Sequence, residues 1–418
     1  MRRGLTFATI VSGGLLLAAG VSAQRPQPLH EQPAIAYAAT PTTDRVGALA
    51  REITAGTRTL QRDPKTGYLR PLLDALAIAP ESQMLVFSKT GVQRAFTSPH
   101  TPRALYFDQT VAIGYVPGAP RLEVAAQDPR QGVVFYTIDQ TAAAPVIARQ
   151  TGCLLCHVSN STLQVPGLIT RSNVVGDDGT IVPAEGHDVD DRTPHPDRWG
   201  GWFVTQDAAS VPYAQRAHAG NLTTTVRGET SNQVLVDWMN SEPERRGYLS
   251  PLSDIVALLV FDHHAHAVNL LTRLGWEARV SGAAGRPASN VPRLVDELAD
   301  YLLLVGEMPP AVALYPRPGL AEHLLVGIPK DHQGRSLAQL DLERRLFRYR
   351  CSPMIYSPAF DALPPAVKTA VYQRMLEILS GGDAARKYAS LSVVDRRDAL
   401  DILRDTKPDF PRPTETAR

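Results

Sequence analysis

The chain has 418 residues, 44% of them hydrophobic, a formal charge of +1 and only three cysteines. Length and apolar content exclude a disordered chain and leave room for one large domain or two smaller ones. A near-neutral charge gives no electrostatic drive toward nucleic acid or an anionic membrane, and three cysteines exclude a disulfide scaffold.

Arg2 and Arg3 precede an apolar run, Leu5 to Gly20, which ends at the small residues Val21-Ser22-Ala23. That order reads as a secretory signal peptide over residues 1–23, of the bacterial kind that delivers a protein to the periplasm. Its removal takes the formal charge to −1. No later run looks long enough to span a bilayer, since Ile255 to Phe261 is followed at once by Asp262-His263-His264. The mature protein is therefore expected to have no transmembrane segment.

Residues 24–60 read as an N-terminal arm. Its first part is rich in Pro, Ala, Gln and Thr and reads as flexible, and Asp44 to Ala55 reads as a short helix. Residues 61–145 read as a strand-rich domain. MLVFS, RALYF, TVAIGYV, LEVAA and GVVFYTID are short β-branched or aromatic runs separated by turn residues, which predicts consecutive antiparallel strands. Residues 146–418 read as a mainly helical domain with a long loop-rich connector over 165–230. Helices are predicted from Ser250-Pro251 through Leu274, and over Pro292–Leu304, Leu337–Tyr349, Pro365–Leu379 and Val394–Arg404. Strands and helices are segregated along the chain, so the expected class is α+β, a strand-rich N-terminal part followed by a mainly α-helical, cytochrome c-like part.

At the boundary stands Cys153-Leu-Leu-Cys156-His157. C-x-x-C-H is the attachment signature of a c-type haem. Two thiols one helical turn apart reach the two vinyl groups on one porphyrin edge, and the adjoining imidazole reaches the iron. A structural zinc site needs four N/S ligands, and beyond this motif only Cys351 remains. A thioredoxin-like dithiol asks for a βαβ setting that the flanking strands do not predict. Haem c ranks first, with Cys153 and Cys156 as covalent sites and His157 as proximal iron ligand.

The motif resembles that of the c-type cytochromes. Together with Arg198-Trp-Gly-Gly-Trp-Phe-Val and Tyr349-Arg-Cys-Ser-Pro-Met-Ile-Tyr-Ser, it looks like large exported bacterial proteins with a single cytochrome c-type site. The resemblance implies haem binding and electron transfer, and names no substrate. It also implies a methionine as sixth ligand. Met354, after Pro353 and before a predicted helix, is the distal candidate; Met308-Pro309 has a similar local setting. Histidine is the alternative. His263 and His266 share a helix face with Ile255, Leu259, Leu270 and Leu274, and His263 is the first alternative distal candidate. An open sixth position is the third option.

Around the connector, His187, His195 and His218 read as haem-edge or surface residues. Arg198 reads as a propionate partner, and Trp199 and Trp202 as porphyrin cover or core anchors. The acidic residues Asp177, Asp178, Asp188, Asp190, Asp191 and Asp197 lack EF-hand spacing and read as a hydrated loop rather than a calcium site. The expected function is a periplasmic c-type cytochrome, with one covalent haem cycling between Fe(III) and Fe(II) for a periplasmic redox partner protein. The alternatives are a haem c-dependent, peroxidase-like oxidoreductase and a haem-based sensor or binding module. Whether the protein is an enzyme stays open at this point.

Overall fold

The computed structural model describes residues 27–176, 178–205, 217–219, 240–286, 289–310 and 313–412. The signal-peptide reading of residues 1–23 lies outside them. The protein is α+β, with strands in the N-terminal half and helices in the C-terminal half.

The apolar runs form the predicted strands: β1 (Met84–Val86), β2 (Arg103–Phe107), β3 (Val111–Tyr115), β4 (Arg121–Asp128) and β5 (Gly132–Asp139). Each pairs antiparallel with the next. β6 (Ile147–Arg149) adds to β5. The connector is less loop-like than expected. It contains a separate hairpin, β7 (Arg171–Val175) with β8 (Ile181–Asp188), and then β9 (Trp202–Thr205) and β10 (Ala217–Ala219). β9 joins the far side of β1 through Leu85↔Phe203, which completes an eight-stranded sheet of order β10-β9-β1-β2-β3-β4-β5-β6. This pairing spans more than a hundred residues of chain, and a strand pattern this short carries no sign of it.

The sheet is covered on both faces, which is why β5 reads as an unbroken apolar run. Its even residues Val134, Tyr136 and Ile138 meet α1 (Arg45–Thr54) and α2 (Leu69–Leu76). Its odd residues Val133 and Phe135 join the helical core on the other face. The arm is not flexible where it is described. Ile35 and Tyr37 are buried, and the Tyr37 hydroxyl donates to the Val133 carbonyl at 2.8 Å.

After the motif helix α3 (Leu154–His157), the described residues of the helical half form α4 (Ile255–Ala283), α5 (Val291–Leu302), α6 (Leu320–Leu324), α7 (Pro358–Asp361), α8 (Pro365–Leu379) and α9 (Val393–Thr406). α4 starts later than Ser250-Pro251 suggested. The Ser253 hydroxyl is tied to the sheet, donating to Phe203 O and accepting from Leu85 N, so the chain stays extended until Asp254 caps the helix. The charges after Phe261 do not interrupt it. α4 is long and apolar enough to cross a bilayer, but its most apolar window is 94% buried inside the protein, as a core helix is. The helix expected over Leu337–Tyr349 is absent. The Asp341 carboxylate accepts the N–H groups of Glu343 and Arg344, Leu342 takes a φ of 65°, and the segment folds back through an isolated bridge between Leu340 and Phe347. A local side-chain acceptor has outcompeted the helix there.

Candidate functional site around Cys153, Cys156 and His157

The motif is delivered by the sheet edge. β6 ends at Arg149, and the Gln150 N–H donates to Phe135 O at 2.8 Å. The chain then turns at Thr151-Gly152 into the single helical turn of α3, closed by His157 N to Cys153 O at 2.9 Å. That turn carries both thiols. Cys153 is half-buried and packs against the helical core, while Cys156 is exposed; neither is in a disulfide. Between them Leu155 stands 90% exposed, a bare apolar side chain beside two free thiols. Burial, and then the negative charge of Glu123, push the Cys153 thiol up. A reactive dithiol needs the opposite shift.

His157 is held more tightly than the thiols. Its ring lies 4.6 Å from that of Phe135, and its Nδ1 is 2.8 Å from Gly167 O. A carbonyl only accepts, so Nδ1 carries the proton and the lone pair sits on Nε2. Nε2 makes no hydrogen bond among the described residues. Burial is the leading reason that the imidazole pKa is lowered, which favours the neutral ring. The His157 backbone carbonyl accepts from Gly167 N at 3.1 Å and from the Thr162 hydroxyl at 3.2 Å.

The Pro166-Gly167-Leu168 loop that anchors the ring is itself clamped. Pro166 O accepts from Val133 N on β5. The Asn269 amide on α4 brackets Leu168, accepting its N–H at 3.0 Å and donating to its carbonyl at 2.8 Å. Gly167 has to be glycine, because a Cβ would overlap that amide. A ring nitrogen fixed through a backbone carbonyl, with the other left bare, is how metal-binding histidines are oriented.

The other candidates fall elsewhere. Met354 is fully buried in the helical core, in the short 3-10 turn Pro353–Tyr356. Met308 is partly exposed. His263 is not open to a metal. Its Nδ1 lies 3.3 Å from Asp191 Oδ2 and its Nε2 lies 2.6 Å from Ser352 Oγ, while Tyr301 stacks on the ring at 4.9 Å. This Asp-His-Ser order matches a hydrolase triad. However, Ser352 is fully buried and its hydroxyl accepts the Met354 N–H, so no substrate reaches it. His266, one turn further along, has a buried Nε2 with no partner among the described residues and lines a cavity of 190 Å³ with Leu163, Leu168 and Asn269.

Arg198 is no propionate partner in this arrangement. It is buried, donating to Thr193 O and lying 3.5 Å from Asp262. Trp202 is the core anchor, with its indole donating to Arg171 O, and Trp199 packs on His195 at 5.5 Å. His187 is exposed, and His218 lies on β10. The connector's acids are distributed among separate partners: Asp178 with Lys89, Asp188 with Arg171, Asp191 with His263. Asp177 lies outside the described residues. Among those described, the one acid–histidine group with mutually close ligand atoms is Asp331, His332 and Asp405, and Arg335 is ion-paired to Asp331 within it.

Sequence reasoning missed Phe135, Gly167, Asn269 and the Asp191–Ser352 partners of His263. Only Pro166-Gly167, a turn signal ten residues beyond the motif, offered a hint. No family model, no curated protein and no solved structure matches the chain.

Proposed function

We propose that this protein is an exported c-type cytochrome carrying one haem, bound through thioethers from Cys153 and Cys156 and ligated by His157. The observation that carries the reading is the setting of His157: a ring fixed through Nδ1, with no hydrogen bond to Nε2 among the described residues. The rest of the donor set fits. The thiols share one helical turn and are unpaired, and the exposed Leu155 beside them offers apolar surface to a porphyrin edge. Haem c, when bound, supplies one-electron Fe(III)/Fe(II) cycling.

The chain's own task is to hold that group still. The Gly167 carbonyl orients the ring and raises its basicity as a ligand. Asn269 and Val133 keep the carbonyl in place. Phe135 backs the ring on the sheet side and excludes water there. Met354, buried in the helical core, has no observation here in its favour as distal ligand, whereas His266 has a nitrogen with no partner among the described residues and lines a cavity with Leu168. Of the distal residues that a peroxidase-like reading could use, His263 and Arg198 are committed to buried partners, which leaves it His266 without the arginine. We therefore favour a carrier that serves a periplasmic redox protein, which would meet the exposed Leu155–Cys156 side.

The test is expression in a host with haem c maturation, followed by a pyridine haemochrome assay. Wild type should carry covalent haem, and Cys153→Ala/Cys156→Ala should carry none. Wild type without covalent haem would end this reading. The ferric spectrum then identifies the sixth ligand.

A further inference from the structure

Beside the motif, on the same sheet face, lies a locked ion pair that the haem reading does not use. Arg103 on β2 donates through Nη1 to Glu123 Oε2 on β4 at 2.8 Å, across the side-chain-free Gly114 of β3. The two side chains are only 12% and 22% exposed. Arg103 also donates to the carbonyl and hydroxyl of Thr90, and Glu123 also accepts the Val92 N–H. Gly91, between those two residues, has a φ of 71°, and a Cβ there would lie 2.5 Å from Glu123 Oε1 and 2.6 Å from Arg103 Nη1. The 90–92 loop thus closes over the pair and needs glycine to do so.

Register places the pair next to the motif. Glu123 is opposite Thr137 on β5, and Ala125 is opposite Phe135. Residues two apart on a strand share a face, so Glu123 lies on the same sheet face as Ala125 and the Phe135 ring that backs His157, with Arg103 bonded to it from β2. Held by so many contacts, neither charge can swing away in response to a change at the motif.

We infer that the Arg103–Glu123 pair is a fixed, balanced electrostatic element: each charge acts on the reduction potential of the group bound at His157, and each is offset by its partner. The inference rests on the haem reading. A fixed positive charge favours the ferrous state, which carries one charge less, and a fixed negative charge favours the ferric state. In the pair these fields oppose, so removing one partner exposes the other.

The experiment is spectroelectrochemical titration of the full-length, haem-loaded protein at low salt. Arg103→Gln should lower the midpoint potential and Glu123→Gln should raise it, each by at least about threefold in the Fe(III)/Fe(II) equilibrium constant. Arg103→Lys, which keeps the charge, and the double Gln variant should both stay close to wild type. If Arg103→Gln does not fold, the sign and size of the Glu123→Gln shift decide. Smaller shifts, or shifts of the same sign, overturn the inference. A haemochrome assay on the same samples separates the two failures. Absent covalent haem in wild type defeats the haem reading, whereas haem c with an unmoved potential defeats this inference alone.

Discussion

His263 and His264 are neighbours on α4 with opposite surroundings. His263 finds a partner for each nitrogen. His264 turns toward Phe107, and its Nδ1 is buried with no partner among the described residues. Burial, and then the charge of His263, push the His264 pKa from 6.5 down to about 3. The unfolded chain therefore takes up a proton at His264 as pH falls through 6.5, while the folded chain does not until about 3. Across that window the unfolded state binds more protons, so His264 erodes stability as pH falls. Asp262 works the other way. Burial raises it from 3.8 to about 7 against the pull of Arg198, so its contribution is lost as pH rises through that range. A raw stability profile mixes the two. Urea unfolding of wild type and His264→Gln at a series of pH values separates them. Wild type should lose ground to the variant as pH drops from 6.5 toward 3; parallel profiles would place the histidine in contact with solvent.

At the scale of elements, α4 depends on one side chain for its start. Asp254 Oδ1 accepts the Ala257 N–H at 2.8 Å, and Oδ2 accepts the Arg317 N–H at 2.5 Å. One carboxylate thus caps the helix and ties down the loop before α6. Asp254→Ala should cost about 1–2 kcal/mol from the cap alone, with a further loss from the orphaned Arg317 N–H. The urea midpoint reads this directly, and a loss below about 0.5 kcal/mol would mean that the Ser253 lacing, not the cap, sets the helix start. The same logic was legible in sequence for α1, whose Asp44 cap begins the helix where expected, and for α8, which the apolar spacing of Val367, Val371, Met375 and Ile378 marks out. It failed over Leu337–Tyr349, where apolar spacing was present but Asp341 bonded the nearby backbone instead.

At the scale of the molecule, α4 joins what the chain order separates. Its first turns, Ile255 to Phe261, pack with β1, β2 and β9; Ala267 to Leu274 belong to the helical core; Trp276 reaches the core beneath α1 and α2. Strand-rich and helical parts therefore share one central helix and should unfold together. Leu271→Ala, at a fully buried position, should cost about 2–5 kcal/mol. Hydrogen exchange on β4 and α8 should report that loss equally. Loss confined to α8 would show that the sheet stands alone.

The residue types and spacing of CLLCH, the five strands of the meander and most of the helices were determined by the sequence itself, because each depends on neighbours a few residues away. The two thiols and the imidazole share a turn wherever that turn is placed. What they face was decided by tertiary structure. Asn269 reaches Leu168 across 101 residues, His263 reaches Asp191 across 72 and Ser352 across 89, and Arg103 meets Glu123 only because β3 lies between them. Those contacts leave one nitrogen of His157 without a partner among the described residues, commit His263 to the core and fix two charges on the same sheet face as Phe135. None has a local pattern, since a hydrogen bond between distant segments is chosen by how the sheet and α4 pack, and packing depends on the whole chain at once.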